Sequence, residues 1–382
     1  PELLPERRSE EATGTSPPCH RSNNPPFTPI VCPSITSLAL TRRSILFALW
    51  DGEEKGMLGS KHWGANPTVS PQDVVLAFNA DMIGRLRGNT VHVFGTRTAC
   101  GLRRWASESN RFTDLLLNFS WEMKPNSDQF SFVERRIPTL MVHTGLHDDW
   151  HRPSDDVDTI NLEGSSAIAR LLFAMVVQAA NQPERFVFRS ESRSEGLADQ
   201  KRLEKSVPPR SPRLGVAWKA ADGGRAGVCL SHVTPGSAAD RAGLLIGDRL
   251  LAVAGEEVAE ESRLGVTIWA ASSPTAVVVE RASGEILSVP VELDGTPLRY
   301  GFSWREDKGE PGSVVLVEIV PYSAADLAGL KVGDRIYRVA GRGFGNGDEL
   351  AQLLASAASP VPLLVERSGQ LRTLLVLAPS MP

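Results

Sequence analysis

The strongest constraint on how this chain folds is that its C-terminal part repeats itself. Leu214-Gly215-Val216-Ala217-Trp218 aligns with Tyr300-Gly301-Phe302-Ser303-Trp304, and residues 235–255 align with residues 321–341. Val279-Glu280-Arg281 aligns with Val365-Glu366-Arg367, and every block keeps one offset of 86 residues. One offset across three separated blocks means a duplicated folding unit, not chance likeness. The units span 211–296 and 297–380. Each carries Ser-Ala-Ala-Asp-x-Ala-Gly-Leu-x-x-Gly-Asp-Arg between short apolar runs, which predicts two small β-rich domains. The preceding stretch, 184–210, is highly charged and holds Pro208 and Pro209, so it reads as a linker.

Residues 41–183 have a different texture. Short continuous apolar runs at 45–50, 74–78 and 138–142 predict strands buried on both faces, with a further strand at 90–94. Helical patterns fall at 57–64, 102–110 and from an Asn161 cap to about Asn181, with Pro183 as the stop. Alternating strands and helices predict an α/β layered domain. Chemistry-bearing residues follow three of the strands: Asp51-Gly52-Glu53-Glu54, then Asn79-Ala80-Asp81, then a loop with His147, Asp148, Asp149 and His151. Ligand sites in open parallel sheets lie beyond the carboxyl ends of the strands, so these groups are expected on one rim. Taken singly, a Glu pair is an ordinary solvated helix start and a loop His is ordinary surface. Together and in this order they point to a metal site, because carboxylate oxygen and imidazole nitrogen both suit zinc at about 2.0–2.2 Å.

Three segments resemble the di-zinc aminopeptidases that include bacterial aminopeptidase Y and leucyl aminopeptidase relatives. They are Phe47-Ala48-Leu49-Trp50-Asp51-Gly52-Glu53-Glu54-Lys55-Gly56-Met57-Leu58-Gly59-Ser60, Asn79-Ala80-Asp81-Met82-Ile83-Gly84, and Thr144-Gly145-Leu146-His147-Asp148-Asp149-Trp150-His151-Arg152-Pro153-Ser154-Asp155. Ser127-Asp128 with Phe130 fits the family's intervening segment. The resemblance implies that 41–183 is a partial zinc peptidase catalytic domain. It makes Glu53 the general base, Glu54 and His151 ligands of one zinc, and Asp81 a ligand of the other. It also implies two zinc ions in the complete enzyme and peptides as substrates, and it favours a secreted or periplasmic setting. Family members carry a further His ligand and a bridging Asp upstream, and residues 1–43 match neither. Residues 1–40 hold eight prolines and no hydrophobic periodicity before Ile35, so they read as a disordered or misassembled segment. The expectation is therefore a zinc-dependent exopeptidase, aminopeptidase in type, with two of five ligands missing. The rival is a catalytically inactive peptide-binding protein with a vestigial peptidase domain. A related di-zinc carboxypeptidase or amidohydrolase would share the same ligands.

The repeated units resemble PDZ domains of the kind found on bacterial proteases. That resemblance implies that Leu214, Gly215 and Val216, and likewise Tyr300, Gly301 and Phe302, form loops whose backbone N–H groups receive a peptide's C-terminal carboxylate. The groove-lining helices would lie near 261–270 and 348–355. The alternative is a PDZ fold that packs against its neighbour and binds no peptide, because the fold alone does not establish ligand binding.

Composition excludes other classes. The formal net charge is −4, which gives no basic face for nucleic acid. No apolar run in the sequence approaches the roughly 18 residues of a membrane span. The four cysteines form no CxxC pair, so neither a disulfide framework nor a thiolate zinc site is signalled. The first residue is Pro1, so a signal peptide could have preceded the sequence.

Overall fold

A computed structural model describes residues 41–220, 225–259 and 261–377. The N-terminal segment read as disordered or misassembled lies outside the described residues.

The first domain carries α1 (Leu58–Ala65), β1 (Ala77–Ala80), β2 (Thr90–Phe94), α2 (Leu102–Ser109), β3 (Leu116–Ser120), α3 (Gln129–Val133), β4 (Thr139–His143) and α4 (Leu162–Asn181). Its sheet runs β1-β4-β2-β3, with β1 parallel to β4, β2 parallel to β3, and β2 antiparallel to β4. Strand alternation sends Val91, Val93, Leu117, Phe119, Leu140 and Val142 to one face, where they pack on α2 and α4 through Leu102, Trp105, Ile168, Leu171 and Met175. The Asn161 side chain caps α4 by accepting from the Gly164 N–H at 2.8 Å. At the other end, Arg43 donates to the carbonyls of Ala179 and Ala180. By length and composition α4 could cross a membrane, yet it packs as a core helix along one face.

Residues 45–50, expected as a buried strand, form no strand. Phe47 is 87% exposed and Leu49 is 99% exposed. An apolar run states a need for burial but does not supply a partner strand. β1, the strand at that side of the sheet, is its edge. Trp50 is half-buried, with Trp63 and Phe132 rings 6.2 Å away. Widely spaced cysteines carry no pairing signal, yet Cys100 is disulfide-bonded; Cys229 is a free thiol.

The first repeat contains β5 (Val216–Ala220), β6 (Val228–Val233), α6 (Ala238–Arg241), β7 (Arg249–Val253), β8 (Glu256–Glu257), α7 (Glu261–Ala270), β9 (Thr275–Glu280) and β10 (Ile286–Val291). The second contains β11 (Phe302–Glu306), β12 (Val314–Ile319), α8 (Ala324–Leu327), β13 (Arg335–Val339), α9 (Gly347–Ser356), β14 (Val361–Arg367) and β15 (Gln370–Val376). The sheets are ordered β10-β9-β7-β6-β5 and β11-β12-β13-β14-β15, so β5 and β11 are equivalent edge strands. The shared motif has a structural reason. Ser237 and Ser323 cap α6 and α8, while Asp248 pairs with Arg281 and Asp334 with Arg367.

Residues 184–210 are not a loose tether. They contain a 3-10 turn (Ser190–Arg193) and α5 (Leu197–Glu204), which straps the second repeat to the first domain. Gln200 donates to the Phe119 carbonyl of β3 at 2.9 Å, and Arg305 of β11 donates to the Leu203 carbonyl at 2.9 Å. Further on, the Val207 N–H donates to Val317 O and Arg210 pairs with Glu318. The strap closes over a buried ion network. Arg97 lies between Glu195 and Asp307, Arg335 pairs with Asp307 at 2.8 Å, and Arg103 pairs with Glu366 at 2.9 Å. Burial opposes the charge on Asp307, but Arg335 and Arg97 outweigh it and hold the pKa down to about 2. Burial is likewise overcome at Glu195 by hydrogen bonds from Arg97 and Arg189, leaving a pKa of about 2. Glu310 goes the other way: burial raises its pKa to about 7, against a hydrogen bond from the Arg104 N–H. Beside this network the hairpin joining β14 and β15 touches the first domain. The Leu117 N–H donates to Ser368 O, and Asn110 donates to Gly369 O.

Candidate functional site

Glu53 and Glu54 occupy a single 3-10 turn, Glu53–Lys55, entered from Gly52 at φ 69° and left at Gly56 at φ 101°. Both angles lie in the left-handed region, where glycine carries no Cβ penalty, so the reversal depends on this Gly-Glu-Glu-Lys-Gly spelling. Asp81 follows β1, and its N–H donates to the Val142 carbonyl of β4 at 3.1 Å. His151 lies on the loop after β4. Because β1 and β4 are parallel neighbours, Asp81 and the His151 loop leave the sheet at the same rim.

That loop is held in place by charge. Arg85, four residues beyond Asp81, pairs with Asp149 at 3.2 Å and with Asp155 at 2.7 Å. Ser154 donates to Asp149 at 2.8 Å. His151 itself sits at φ 56°, a conformation uncommon for a non-glycine residue, with the Trp150 ring stacked on it at 3.9 Å. The result is a direct contact from His151 Nε2 to Glu54 Oε1 at 2.9 Å. Both side chains are at least half exposed, so the pair faces solvent.

Glu53 belongs to the same neighbourhood. Burial raises its pKa first, and the charges of Glu54, Asp81 and Asp128 raise it further, while His151 lowers it. Asp128, which precedes α3, is buried, and its own pKa is raised by burial and by Asp81. Behind it Asn79 donates to Ser127 at 2.8 Å and to Gln129 at 3.1 Å, tying the second motif to α3. Thus the structure puts Glu54 and His151 in contact and Glu53, Asp81 and Asp128 within electrostatic range. It does not make a finished cage: among the described residues, no three His, Cys, Asp or Glu side chains are grouped closely enough to hold a metal. Reading motifs one at a time left Arg85, Trp150 and Asn79 without a role. The signal for Arg85 was present as a basic residue just after the second motif, facing the acids of the third.

In the repeats, Gly215 (φ 76°) and Gly301 (φ 74°) immediately precede the edge strands β5 and β11. A Cβ on Gly215 would meet Ser237 Cβ at 2.2 Å, and one on Gly301 would meet Ser323 Cβ at 2.1 Å. Glycine is therefore required twice at each loop, for φ and for space. Leu214, Tyr300 and Phe302 are buried in their own cores, and Val216 packs against the edge of its core. The facing helices are α7 and α9, at the positions the repeat pattern indicates.

Comparison with known proteins agrees with this division. Residues 35–176 match the model of Peptidase family M28, and residues 231–265 and 315–367 match that of the PDZ domain. The chain carries a peptidase M28 domain joined to PDZ domains. Its Na(+)/H(+) exchange regulatory cofactor relative NHE-RF1 of Gallus gallus is 30% identical over 194 residues, which covers 39% of this chain and 58% of that protein. NHE-RF4 of Mus musculus is 29% identical over 161 residues, covering 35% of this chain and 32% of that protein. Among solved structures, the LapA aminopeptidase of Legionella pneumophila is 23% identical, covers 35% of this chain and 38% of that chain, and superposes with a TM-score of 0.33. The chain thus spans less than two thirds of the length of each of these three proteins.

Proposed function

We propose that residues 41–183 are part of a zinc-dependent exopeptidase of aminopeptidase type, and that the two PDZ modules hold peptide segments. The observation that carries the first half is the Glu54–His151 contact at 2.9 Å, beside Glu53, within an M28 domain. A carboxylate oxygen and an imidazole nitrogen that already meet present zinc-type donors to one point, so this pair fits one face of an ion. Asp81 would serve a second ion at the same rim. Bound zinc supplies Lewis acidity that polarises a scissile carbonyl and lowers the pKa of water. Glu53 stands beside the ligands without being one. It takes the proton of the attacking water and passes it to the departing amine. A base with an elevated pKa among negative neighbours suits that exchange. Arg85 keeps the His151 loop in register.

The PDZ half rests on two edge strands that open at the Leu214-Gly215-Val216 and Tyr300-Gly301-Phe302 loops. An extended peptide would add to either edge, with its carboxylate at the loop N–H groups.

One observation favours a second reading, an inactive peptide-binding protein with a vestigial peptidase domain: the described residues group no three metal donors. Zinc content and turnover of aminoacyl p-nitroanilides separate the two readings. Glu54→Gln and His151→Ala are expected to lower zinc retention. In a complete version of this enzyme, Glu53→Gln is expected to keep zinc while abolishing turnover. Zinc loss in Glu53→Gln would make Glu53 a ligand, and a zinc-free, inactive wild type would establish the second reading.

A further inference from the structure

The cleft of the first PDZ module lies between edge strand β5 and helix α7, and a residue of the second module stands in it. On the strand side is Trp218, whose ring centroid is 6.1 Å from that of Tyr322, with the planes tilted by 57°. That separation lies within the range of attractive aromatic pairs. On the helix side is Gly265. A Cβ there would stand 2.5 Å from Tyr322 Cβ and 2.9 Å from the Tyr322 carbonyl oxygen, so only glycine admits the turn at this distance. The two flanks of α7 are divided between the modules. Leu264 and Ile268 belong to the core of the first, while Val266 belongs to the core of the second. The Leu298 N–H donates to the Trp269 carbonyl at 2.7 Å and fixes the connection between them.

The repeat shows that Tyr322 is out of place as a turn residue. Its counterpart in the first module is Gly236. Both residues are left-handed, at φ 75° for Gly236 and φ 60° for Tyr322. Both donate their N–H at 2.8 Å to the matching aspartate, Asp240 or Asp326. The turn therefore asks for a positive φ, which glycine adopts freely and an aromatic residue adopts under strain. In the second module the strain coincides with a side chain laid across its neighbour's cleft. The second module's own cleft is drawn in by its own residues. Gly347 of α9 donates to Glu306 at 2.6 Å, and a Cβ on Gly347 would stand 2.9 Å from Trp304 Nε1.

We propose that Tyr322 is an internal ligand of the first module's groove, and that the external ligands this groove takes are peptides with an aromatic side chain that replaces Tyr322 between Trp218 and Gly265. The proposal rests on the peptide-binding reading of the modules. Tyr322 is 59% exposed, so a competitor reaches the contact from solvent without opening a core. Exchange of the two would couple peptide binding at the first module to the second, which is clamped to the peptidase domain by the Arg97–Asp307–Arg335 network.

Two measurements on the full chain test this. The first is occupancy without any peptide: a double-mutant cycle of Trp218→Ala and Tyr322→Ala, read by chemical denaturation, is expected to show non-additive losses because the two rings touch. Strictly additive losses overturn the proposal. The second is fluorescence anisotropy with a fluorescein-labelled Gly-Ser-Gly-Tyr-Ser-Val peptide bearing a free carboxylate. Tyr322→Gly restores the residue found in the sister turn and empties the cleft. It is expected to tighten binding at least tenfold, whereas Tyr322→Phe should match wild type. Replacing the peptide's tyrosine by alanine should remove most of the gain. Equal, measurable binding by wild type and Tyr322→Gly overturns the proposal while leaving the peptide-binding reading intact. Coupling of Trp218 and Tyr322 without peptide binding in Tyr322→Gly upholds Tyr322 as the occupant and overturns the external-ligand part together with the peptide-binding reading.

Discussion

The two PDZ modules carry the same charged pair at the same place and use it differently. Arg249 faces Glu280 across β7 and β9, and Arg335 faces Glu366 across β13 and β14. In the first module the two residues pair with each other, and their side chains are 20% and 19% exposed. In the second, both are fully buried and have changed partners: Arg335 takes Asp307, and Glu366 takes Arg103 of the peptidase domain. One spelling thus gives a local cross-strand pair in one copy and an interdomain clamp in the other. The difference comes from what covers the sheet, namely α2, the strap helix α5 and the loop that carries Arg97.

The clearest way to break this comparison is to remove the matching arginines. Arg335→Ala takes from buried Asp307 one of its two arginine partners, and should cost about 3–5 kcal/mol in chemical denaturation. Arg249→Ala breaks a partly exposed pair and should cost no more than about 1 kcal/mol. Equal costs would mean that the second module's network contributes no more than a surface pair.

Glycines sharpen it next. Gly284 and Gly369 both turn their hairpins at positive φ, 84° and 74°. A Cβ on Gly284 meets open space, while one on Gly369 would stand 2.4 Å from Leu117 Cβ. Gly284→Ala should cost about 1 kcal/mol of backbone strain. Gly369→Ala adds overpacking and should cost about 2–4 kcal/mol in the same assay. Indistinguishable midpoints would remove the hairpin from the interface.

The smallest effect is a pH slope. Glu310 is raised to about 7 in the fold, so between its ordinary value near 4.5 and pH 7 the folded chain holds a proton that the unfolded chain has lost. Its contribution to stability therefore falls as pH rises through that window and levels off above it. Glu310→Gln should flatten this part of the denaturation profile, gaining on wild type at pH 8 relative to pH 5. An unchanged slope would place the proton elsewhere. The depressed carboxylates, Glu195 and Asp307, have the opposite sign: their contribution is present above about pH 4.5 and is lost as pH falls towards 2.

Much of this was legible in the sequence where local pattern and environment agree. β2 and α4 fall where their apolar periods and the Asn161 cap place them, and the duplication is plain from its offset. The run 45–50 misled because buried-strand character needs a neighbouring strand that the run cannot specify. β3 was missed because only Leu117 and Phe119 point inward, between exposed Leu116 and Asn118. α5 was hidden by its charges, since a helix of Leu-Ala-Asp-Gln-Lys-Arg-Leu-Glu reads as solvated until a domain is found on each side of it. Even so, the sequence held a hint: the second module has Asp307 and Glu310 where the first has Ala221 and Gly224. At the candidate metal site, residue types and order pointed to Glu53, Glu54, Asp81 and His151. The loop geometry that brings His151 onto Glu54 depends on Arg85, a long-range pairing that spacing alone does not encode.

The most direct test of the unequal integration of two like modules is amide hydrogen exchange of the strap helix, Leu197–Glu204, in the full chain. The strap is bonded to the second module at Arg305 and lies beside Arg335, whose guanidinium is 3.6 Å from Glu204. Arg335→Ala should therefore speed exchange across this helix, and Arg249→Ala should leave it at the wild-type rate. Equal protection in all three proteins would contradict the account, because the second module would then be no more a part of the peptidase body than the first.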